Sequence, residues 1–166
     1  MPKKIIFSLY LVLVIGAVVV YWSKIGEPNI KQPIQFNHLK HKEVADCETC
    51  HKYIKEQAFA SLPVKEDCAA CHESPITDSP EEKKLLDFIE KGKNISWARL
   101  YELPPHVYFS HKRHVTIGDL ECKSCHGYMA DQQSPPKKPL VALMMDDCIA
   151  CHRSAGIKTD CIACHR

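Results

Sequence analysis

The chain has 166 residues, a formal net charge of +2, and charged side chains at 25% of its positions. This near-neutral balance gives no support for nucleic-acid binding, so we expect no nucleic-acid partner. The distinctive feature of the composition is its ten cysteines and ten histidines.

The first predicted element is an apolar helix. Two lysines precede the apolar run 5–22, which as a helix spans roughly 27 Å, close to the hydrocarbon thickness of a bilayer. The lysines favour a cytoplasmic N-terminus, and Tyr21 and Trp22 suit the membrane interface. A cleaved secretory signal is the alternative, but no small-residue cleavage site follows the run. We therefore expect residues 1–23 to be a retained membrane anchor.

The chain after the anchor is expected to lie outside the cytoplasm. Residues 24–35 contain two prolines and alternate polar with apolar side chains, which predicts an extended tether. The remainder, residues 36–166, contains all ten cysteines and is the predicted cofactor domain.

The cysteines form five C-x-x-C pairs, and a histidine follows each pair directly. The motifs are Cys47/Cys50/His51, Cys68/Cys71/His72, Cys122/Cys125/His126, Cys148/Cys151/His152 and Cys161/Cys164/His165. C-x-x-C-H is the attachment signature of haem c, in which the thiols add to the porphyrin vinyl groups and the imidazole reaches the iron. Disulfides or zinc knuckles do not need these histidines, and a thioredoxin-like site needs one C-x-x-C. The sequence therefore predicts five covalently bound haems c.

The number of residues per haem predicts the fold class. Outside the five motifs, about 28 residues remain for each haem, too few to bury an ordinary side-chain core around it. We expect a mostly irregular chain with short α-helices, wrapped around haems that form the core. The haems should then lie close together in one connected series.

A repeat divides the cofactor domain. The pattern F-x-H-x-x-H occurs at 36–41 and at 109–114, each time shortly before a C-x-x-C-H motif, and the next motif is repeated as well. Internal duplication is the simplest explanation. We therefore predict two-haem units at 36–74 and 109–154, with a last haem at 160–166.

The clearest helix of the cofactor domain lies between these units, at 79–92. Ser79 is a natural N-cap, Pro80 suits the first helical position, and Glu82 completes a predicted capping box. Gly92 is the expected C-terminal stop. We expect this helix to cover haem edges.

Five histidines remain outside the attachment motifs: His38, His41, His106, His111 and His114. Five haem irons have ten axial positions, so the ten histidines of the chain match them in number. Bis-histidine ligation is therefore predicted at most haems. Met129, Met144 and Met145 are alternative ligands, and a methionine would raise the potential of its haem.

The F-x-H-x-x-H elements resemble those of the class III multihaem cytochromes c, small low-potential electron carriers. In that class the first histidine commonly ligates the haem of the following motif, and the second reaches a different haem. The resemblance implies the axial pairs His38 with His51, His41 with His72, His111 with His126 and His114 with His152, which leaves His106 for His165.

A second resemblance covers nearly the whole chain. The single anchor, the five motifs and the aromatic segment 97–111 are similar to the multihaem cytochrome subunits of alternative complex III and of menaquinone reductase complexes. The resemblance implies partners of three kinds: iron–sulfur and molybdoenzyme-like subunits, a polytopic quinone-binding membrane subunit, and other cytochromes. The same segment would also suit packing against haem.

The expected function is electron transfer rather than catalysis, because a haem with two protein ligands has no open position for a substrate. We expect a subunit of a quinone-linked respiratory or photosynthetic complex, in the inner (cytoplasmic) membrane with its haem domain on the periplasmic side. The alternatives are a stand-alone membrane-anchored quinol dehydrogenase and a multihaem reductase with one open haem.

Overall fold

The computed structural model describes residues 3–25 and 29–165, and its regular structure is helical. The α-helices are α1 (Lys3–Ile25), α2 (His38–His41), α3 (Cys47–Cys50), α4 (Lys65–Ala69), α5 (Pro80–Glu90), α6 (Lys123–His126), α7 (Met145–Ser154) and α8 (Cys161–Cys164). A π-helix covers Lys112–Ile117, and a 3₁₀-helix covers Met129–Asp131. Within the described ranges β pairing is limited to one antiparallel bridge, between Val107 and His165. The predicted fold class, short helices in an otherwise irregular chain, is confirmed.

Parts of three predicted segments lie outside the described residues. These are residues 1–2 of the anchor, 26–28 of the tether and 166 of the last-haem segment. Within α1, the stretch Ile5–Ser23 is long and apolar enough to cross a bilayer, and none of it is buried in the rest of the protein. A signal sequence meets the same criteria of length and composition. The helix therefore has the capacity to span a membrane.

The N-terminus of α5 forms as predicted in part. The Ser79 hydroxyl caps the helix by accepting a hydrogen bond from the Glu81 amide at 3.3 Å. The predicted capping box is wrong, because the Ser79 amide donates instead to the Thr77 hydroxyl at 3.2 Å. The Glu82 carboxylate is turned away from Ser79 toward the preceding loop. Glu82 is consequently available for other contacts.

The C-terminus of α5 ends at the predicted glycine. Gly92 has a φ of +63°, a conformation that side chains disfavour. The Gly92 amide donates to the Ile89 carbonyl and the Lys93 amide to the Phe88 carbonyl, both at 3.0 Å. This is the Schellman arrangement, which satisfies the last carbonyls of the helix. The predicted helix 79–92 is confirmed, with its caps included in that range.

A small apolar core fixes α5 beside the second attachment motif. Ile34, Leu85 and Ile95 form a buried cluster, and Cys68 packs against it. Besides this cluster, Ile54 is the one buried apolar side chain of the described residues. Because α5 contacts α4, the core determines where the side chains of its first turn lie relative to Cys68.

Candidate functional site

Each C-x-x-C-H motif folds as one helical turn. In four motifs the amide of the histidine donates to the carbonyl of the first cysteine: His51 to Cys47 at 2.8 Å, and His72 to Cys68, His126 to Cys122 and His165 to Cys161 at 2.9 Å. The remaining motif, with Cys148, Cys151 and His152, lies inside α7. Residues three apart lie on the same side of a helical turn, so both thiols of a motif point to one side.

The ten cysteines are free of disulfides and differ in exposure. Four of them are partly buried: Cys50, Cys68, Cys125 and Cys164. The other six are exposed: Cys47, Cys71, Cys122, Cys148, Cys151 and Cys161. The protein chain alone therefore does not enclose these thiols, as the small number of residues per motif led us to expect. Their covalent attachment to haem stays a prediction.

Cys151 shows how a thiol without side-chain cover is still fixed in place. Its carbonyl, near the end of α7, accepts from the Ala155 amide at 3.1 Å and from the Ser154 hydroxyl at 2.8 Å. The backbone of Cys151 is thus held by the end of the helix while its side chain stays exposed. An attachment thiol needs this combination, because it must be accessible to the porphyrin edge.

In four of the five predicted histidine pairs, the two imidazole rings lie close together. The ring centroids are 6.3 Å apart for His41 and His72, 5.4 Å for His106 and His165, 6.3 Å for His111 and His126, and 6.0 Å for His114 and His152. A metal ion that is bound about 2 Å from one nitrogen of each of two imidazoles places the two ring centroids about 6 Å apart. The spacing of these rings therefore fits an iron between them, and their role as ligands stays a prediction.

The fifth predicted pair, His38 with His51, interacts electrostatically. Burial, and then the neighbouring imidazoles of His51 and His41, lower the pKa of His38 to about 4. The Nδ1 atom of His38 is buried and has no hydrogen-bond partner among the described residues. The structure thus brings four of the five predicted pairs together, and the pairing of His38 with His51 stays a prediction.

Hydrogen bonds at Nδ1 orient several of these rings. Nδ1 lies 2.8 Å from the Asn37 carbonyl in His41, 2.8 Å from the Ser61 carbonyl in His51, 3.0 Å from the Ala58 carbonyl in His111 and 2.8 Å from the Ser110 carbonyl in His114. A carbonyl oxygen only accepts, so each Nδ1 must carry the proton. The lone pair of Nε2 is then free for a metal, as in metal-binding histidines generally.

His72 is held by a carboxylate. Its Nδ1 lies 2.8 Å from Oε1 of Glu82, which also accepts from the Ile76 amide at 2.9 Å. The other carboxylate oxygen accepts from the amide of Thr77 at 2.7 Å and from its hydroxyl. The Thr77 hydroxyl and the Ile76 amide, against the effect of burial, lower the pKa of Glu82 to about 2. The local sequence did not indicate this role, because Ser79 followed three residues later by Glu82 is typical of a helix cap.

The two F-x-H-x-x-H elements arrange their rings alike. In 36–41 and 109–114 the phenylalanine is edge-on to the first histidine, with centroids 4.8 and 4.9 Å apart. It also lies against the second histidine, at 4.2 and 4.5 Å. The backbone differs, since one element forms α2 and the other enters the π-helix. The repeat seen in the sequence is thus a repeat of ring geometry.

The donor set around the third motif fits a haem c. One cleft is lined by two thiols, three imidazoles and apolar side chains, among them Cys122, Cys125, His111, His114, His126, Ile54, Phe109, Val115 and Leu120. A porphyrin needs apolar walls, two thiols at its edge and an imidazole on each face. Cys122, Cys125, His126 and His111 would hold the group here.

Tyr101 supports this cleft from outside. Its ring is edge-on to His126 with centroids 4.5 Å apart, and its hydroxyl accepts from the amides of Leu140 and Val141 at 3.1 and 3.3 Å. The aromatic segment 97–111 stands out in the sequence, but its local pattern does not predict the contact between Tyr101 and His126. Tyr101 thus joins that segment to an attachment histidine.

The three methionines are placed differently from the histidines. Met144 and Met145 are exposed, with 65% and 62% of their surface accessible. Met129 is partly buried at the start of the 3₁₀-helix. With four attachment histidines already beside a second histidine, the geometry favours imidazole at the second axial position of these haems.

Comparison with known proteins agrees with this geometry. Residues 21–96 match the model of the class III cytochrome C family, and residues 107–166 match that of cytochrome c7 and related cytochrome c. The chain is also 34% identical over 101 residues to the "Menaquinone reductase, multiheme cytochrome c subunit" of Nitratidesulfovibrio vulgaris. That match covers 59% of this chain and 47% of the relative, so it spans about half the relative's length. The predicted resemblance is confirmed: residues 21–96 are similar to class III cytochromes c, residues 107–166 to cytochrome c7, and the chain to a multihaem cytochrome c subunit.

Proposed function

We propose that this chain is a membrane-anchored pentahaem subunit of a quinone-linked complex and that it carries electrons between redox partners. The observation that carries the proposal is the presence of a second histidine beside four of the five C-x-x-C-H histidines, with ring centroids 5.4 to 6.3 Å apart. Haem c, when bound, supplies reversible one-electron chemistry. The residues of the chain supply the thiols, the imidazoles and their orientation.

Ligation on both faces favours transfer over catalysis. An iron with two imidazole ligands offers no position to a substrate. A multihaem reductase needs one attachment histidine without a partner, whereas four attachment histidines of this chain have one nearby and His38 is the predicted partner of the fifth. We therefore infer an electron carrier and not an enzyme in its own right.

Contacts between neighbouring attachment motifs support an order for the five haem sites in space. We number the sites by their motifs: site 1 at Cys47 and Cys50, site 2 at Cys68 and Cys71, site 3 at Cys122 and Cys125, site 4 at Cys148 and Cys151, and site 5 at Cys161 and Cys164. His38 interacts electrostatically with His51 of site 1, and the ring of His41 lies beside that of His72 of site 2. His38 and His41 are three positions apart in the chain, so a short stretch of backbone links these sites.

Sites 3 and 4 are linked in the same way by His111 and His114. The attachment thiols of the two sites are also close to each other. Burial, and then the thiols of Cys151 and Cys148, raise the pKa of Cys125. Both contacts support direct electron transfer between these sites.

Sites 1 and 3 are joined by a backbone contact between segments 55–58 and 111–116. The His111 amide donates to the Ala58 carbonyl at 2.9 Å, and the Lys112 amide to the Gln57 carbonyl at 3.0 Å. The Thr116 hydroxyl donates to the Lys55 carbonyl at 2.7 Å. Burial and then the Cys122 thiol raise the pKa of Cys47, which agrees with a close approach of the two motifs.

Site 5 lies next to site 4. The Tyr108 amide donates to the Cys164 carbonyl at 2.8 Å, and the next residue, Phe109, stacks on His114. Burial, Asp147 and the Cys164 thiol raise the pKa of Cys148. These contacts support the order 2–1–3–4–5, with sites 2 and 5 at the ends of the series.

The anchor and the partners complete the proposal. Segment Ile5–Ser23 would hold the chain in the cytoplasmic membrane, with the haem domain on the periplasmic side. This segment is almost wholly apolar, so the binding of a quinone head group falls to a partner. The named relative is a menaquinone reductase subunit, which supports an assembly with other subunits. The partners that we propose are iron–sulfur, molybdoenzyme-like and polytopic quinone-binding subunits.

Purification from detergent-solubilised membranes tests the proposal. An affinity-tagged chain should bring with it iron–sulfur and polytopic subunits, and menaquinol should reduce its haems only in that assembly. A chain that purifies alone and is reduced by menaquinol would be a stand-alone quinol dehydrogenase. Carbon monoxide binding by the native protein would indicate an open haem and favour a reductase.

A further inference from the structure

Glu82 is the one charged residue that is buried among the described residues, with 7% of its surface accessible. Both of its carboxylate oxygens are fully engaged: Oε1 by His72 and the Ile76 amide, and Oε2 by the amide and hydroxyl of Thr77. An ionised carboxylate offers about four acceptor sites, and all four are used here. The carboxylate is therefore fixed in position and aimed at the imidazole.

This contact sets site 2 apart from the other sites. Of the ten histidines, all of which lie in the described part of the chain, His72 alone hydrogen-bonds a carboxylate. The Nδ1 contacts of His41, His51, His111 and His114 go to neutral backbone carbonyls. Because Glu82 only accepts, Nδ1 of His72 donates and Nε2 faces the iron position.

The chemistry of such a pair is known in general terms. A carboxylate that accepts from the far nitrogen of a ligating histidine fixes the tautomer and the ring orientation and makes the ligand more basic. A more basic ligand stabilises the ferric state relative to the ferrous state. Hydrogen bonds of this kind are among the means by which proteins adjust haem potentials.

We propose that Glu82 is a positioning residue for His72 and lowers the redox potential of the haem at Cys68 and Cys71. The inference rests on the proposed function, since it requires a haem at site 2. In the order derived above, site 2 is at one end of the series. The two ends then differ, and the end next to α5 is held at low potential by a residue that does not touch the haem.

The test compares Glu82→Gln with Glu81→Gln in the full-length haem protein. The two variants remove the same charge from adjacent positions, but Glu81 accepts from the Gln35 amide and pairs with Lys84, away from any histidine. We expect Glu82→Gln to shift one haem to higher potential by at least tenfold in its oxidised-to-reduced ratio, about 59 mV for one electron. The control should leave all haems within a fraction of that shift.

A second variant and a second background keep the test specific. Thr77→Val retains the carboxylate but removes one of its donors, so the same haem should move to lower potential. In a Cys68→Ser/Cys71→Ser background, which lacks the site 2 haem, Glu82→Gln should shift no remaining haem. Equal shifts in Glu82→Gln and Glu81→Gln, or a shift that persists in that background, would overturn the inference alone. A wild-type mass that lacks the site 2 haem would overturn the proposed function with it.

Discussion

The imidazole rings of His111 and His126 have centroids 6.3 Å apart and planes 4° from parallel. If they share an iron, His111→Ala removes one axial ligand and leaves that haem five-coordinate. We expect one haem per chain to become high-spin and to bind carbon monoxide, as measured by electron paramagnetic resonance and difference spectroscopy. Lys112→Ala, at the next position, is the control and should remain fully low-spin. A fully low-spin His111→Ala would show that the pairing is wrong.

The number of covalent haems is directly measurable. All five C-x-x-C-H motifs are complete, so the intact mass of the mature protein should show five haem additions. The Cys161→Ser/Cys164→Ser variant should show four and keep the spectra of the others, because site 5 lies at one end of the proposed series. A wild-type mass with four or fewer additions would contradict the count.

Retention of the anchor is a separate prediction. Because no small-residue cleavage site follows the apolar run, we expect the mature chain to keep Ile5–Ser23 and to stay with membranes after an alkaline wash. N-terminal sequencing of the membrane-bound protein checks this. A mature N-terminus beyond residue 22 would identify the segment as a signal sequence.

The stability of the haem domain should depend on its small apolar core. Leu85 is 8% exposed and packs with Ile34 and Ile95, so Leu85→Ala should lower the free energy of unfolding by about 2–5 kcal/mol. Lys83→Ala, on the exposed side of the same helix, should change it by less than about 0.5 kcal/mol. Denaturant titration followed at the haem absorption band measures both. Equal effects would mean that this cluster does not support the fold.

Local sequence signals predicted the parts of the fold that depend on nearby residues. The start and end of α5 follow from Ser79 and Gly92, which act on the backbone within one turn. The pairing of His41 with His72 and of His111 with His126 was implied by the resemblance of the F-x-H-x-x-H elements to those of class III cytochromes c, and the structure brings both pairs together. The match of His106 to His165 rested on counting, and the structure brings these rings together at 5.4 Å.

Contacts between distant segments were not predictable. Nothing in the local pattern indicates that Glu82 turns from its helix cap to His72, because the choice depends on how α5 packs on α4. The same motif forms an α-helical turn at 38–41 and leads into a π-helix at 112–117, where residues 55–58 pair with the second copy. The order of the sites depends on these contacts as well.

The pairing of segments 55–58 and 111–116 confines electron transfer between the two repeated halves to a single contact. In the proposed order, every electron that travels between the two repeated halves must cross this one contact. A substitution that loosens it would leave each half able to accept electrons while blocking through-flow.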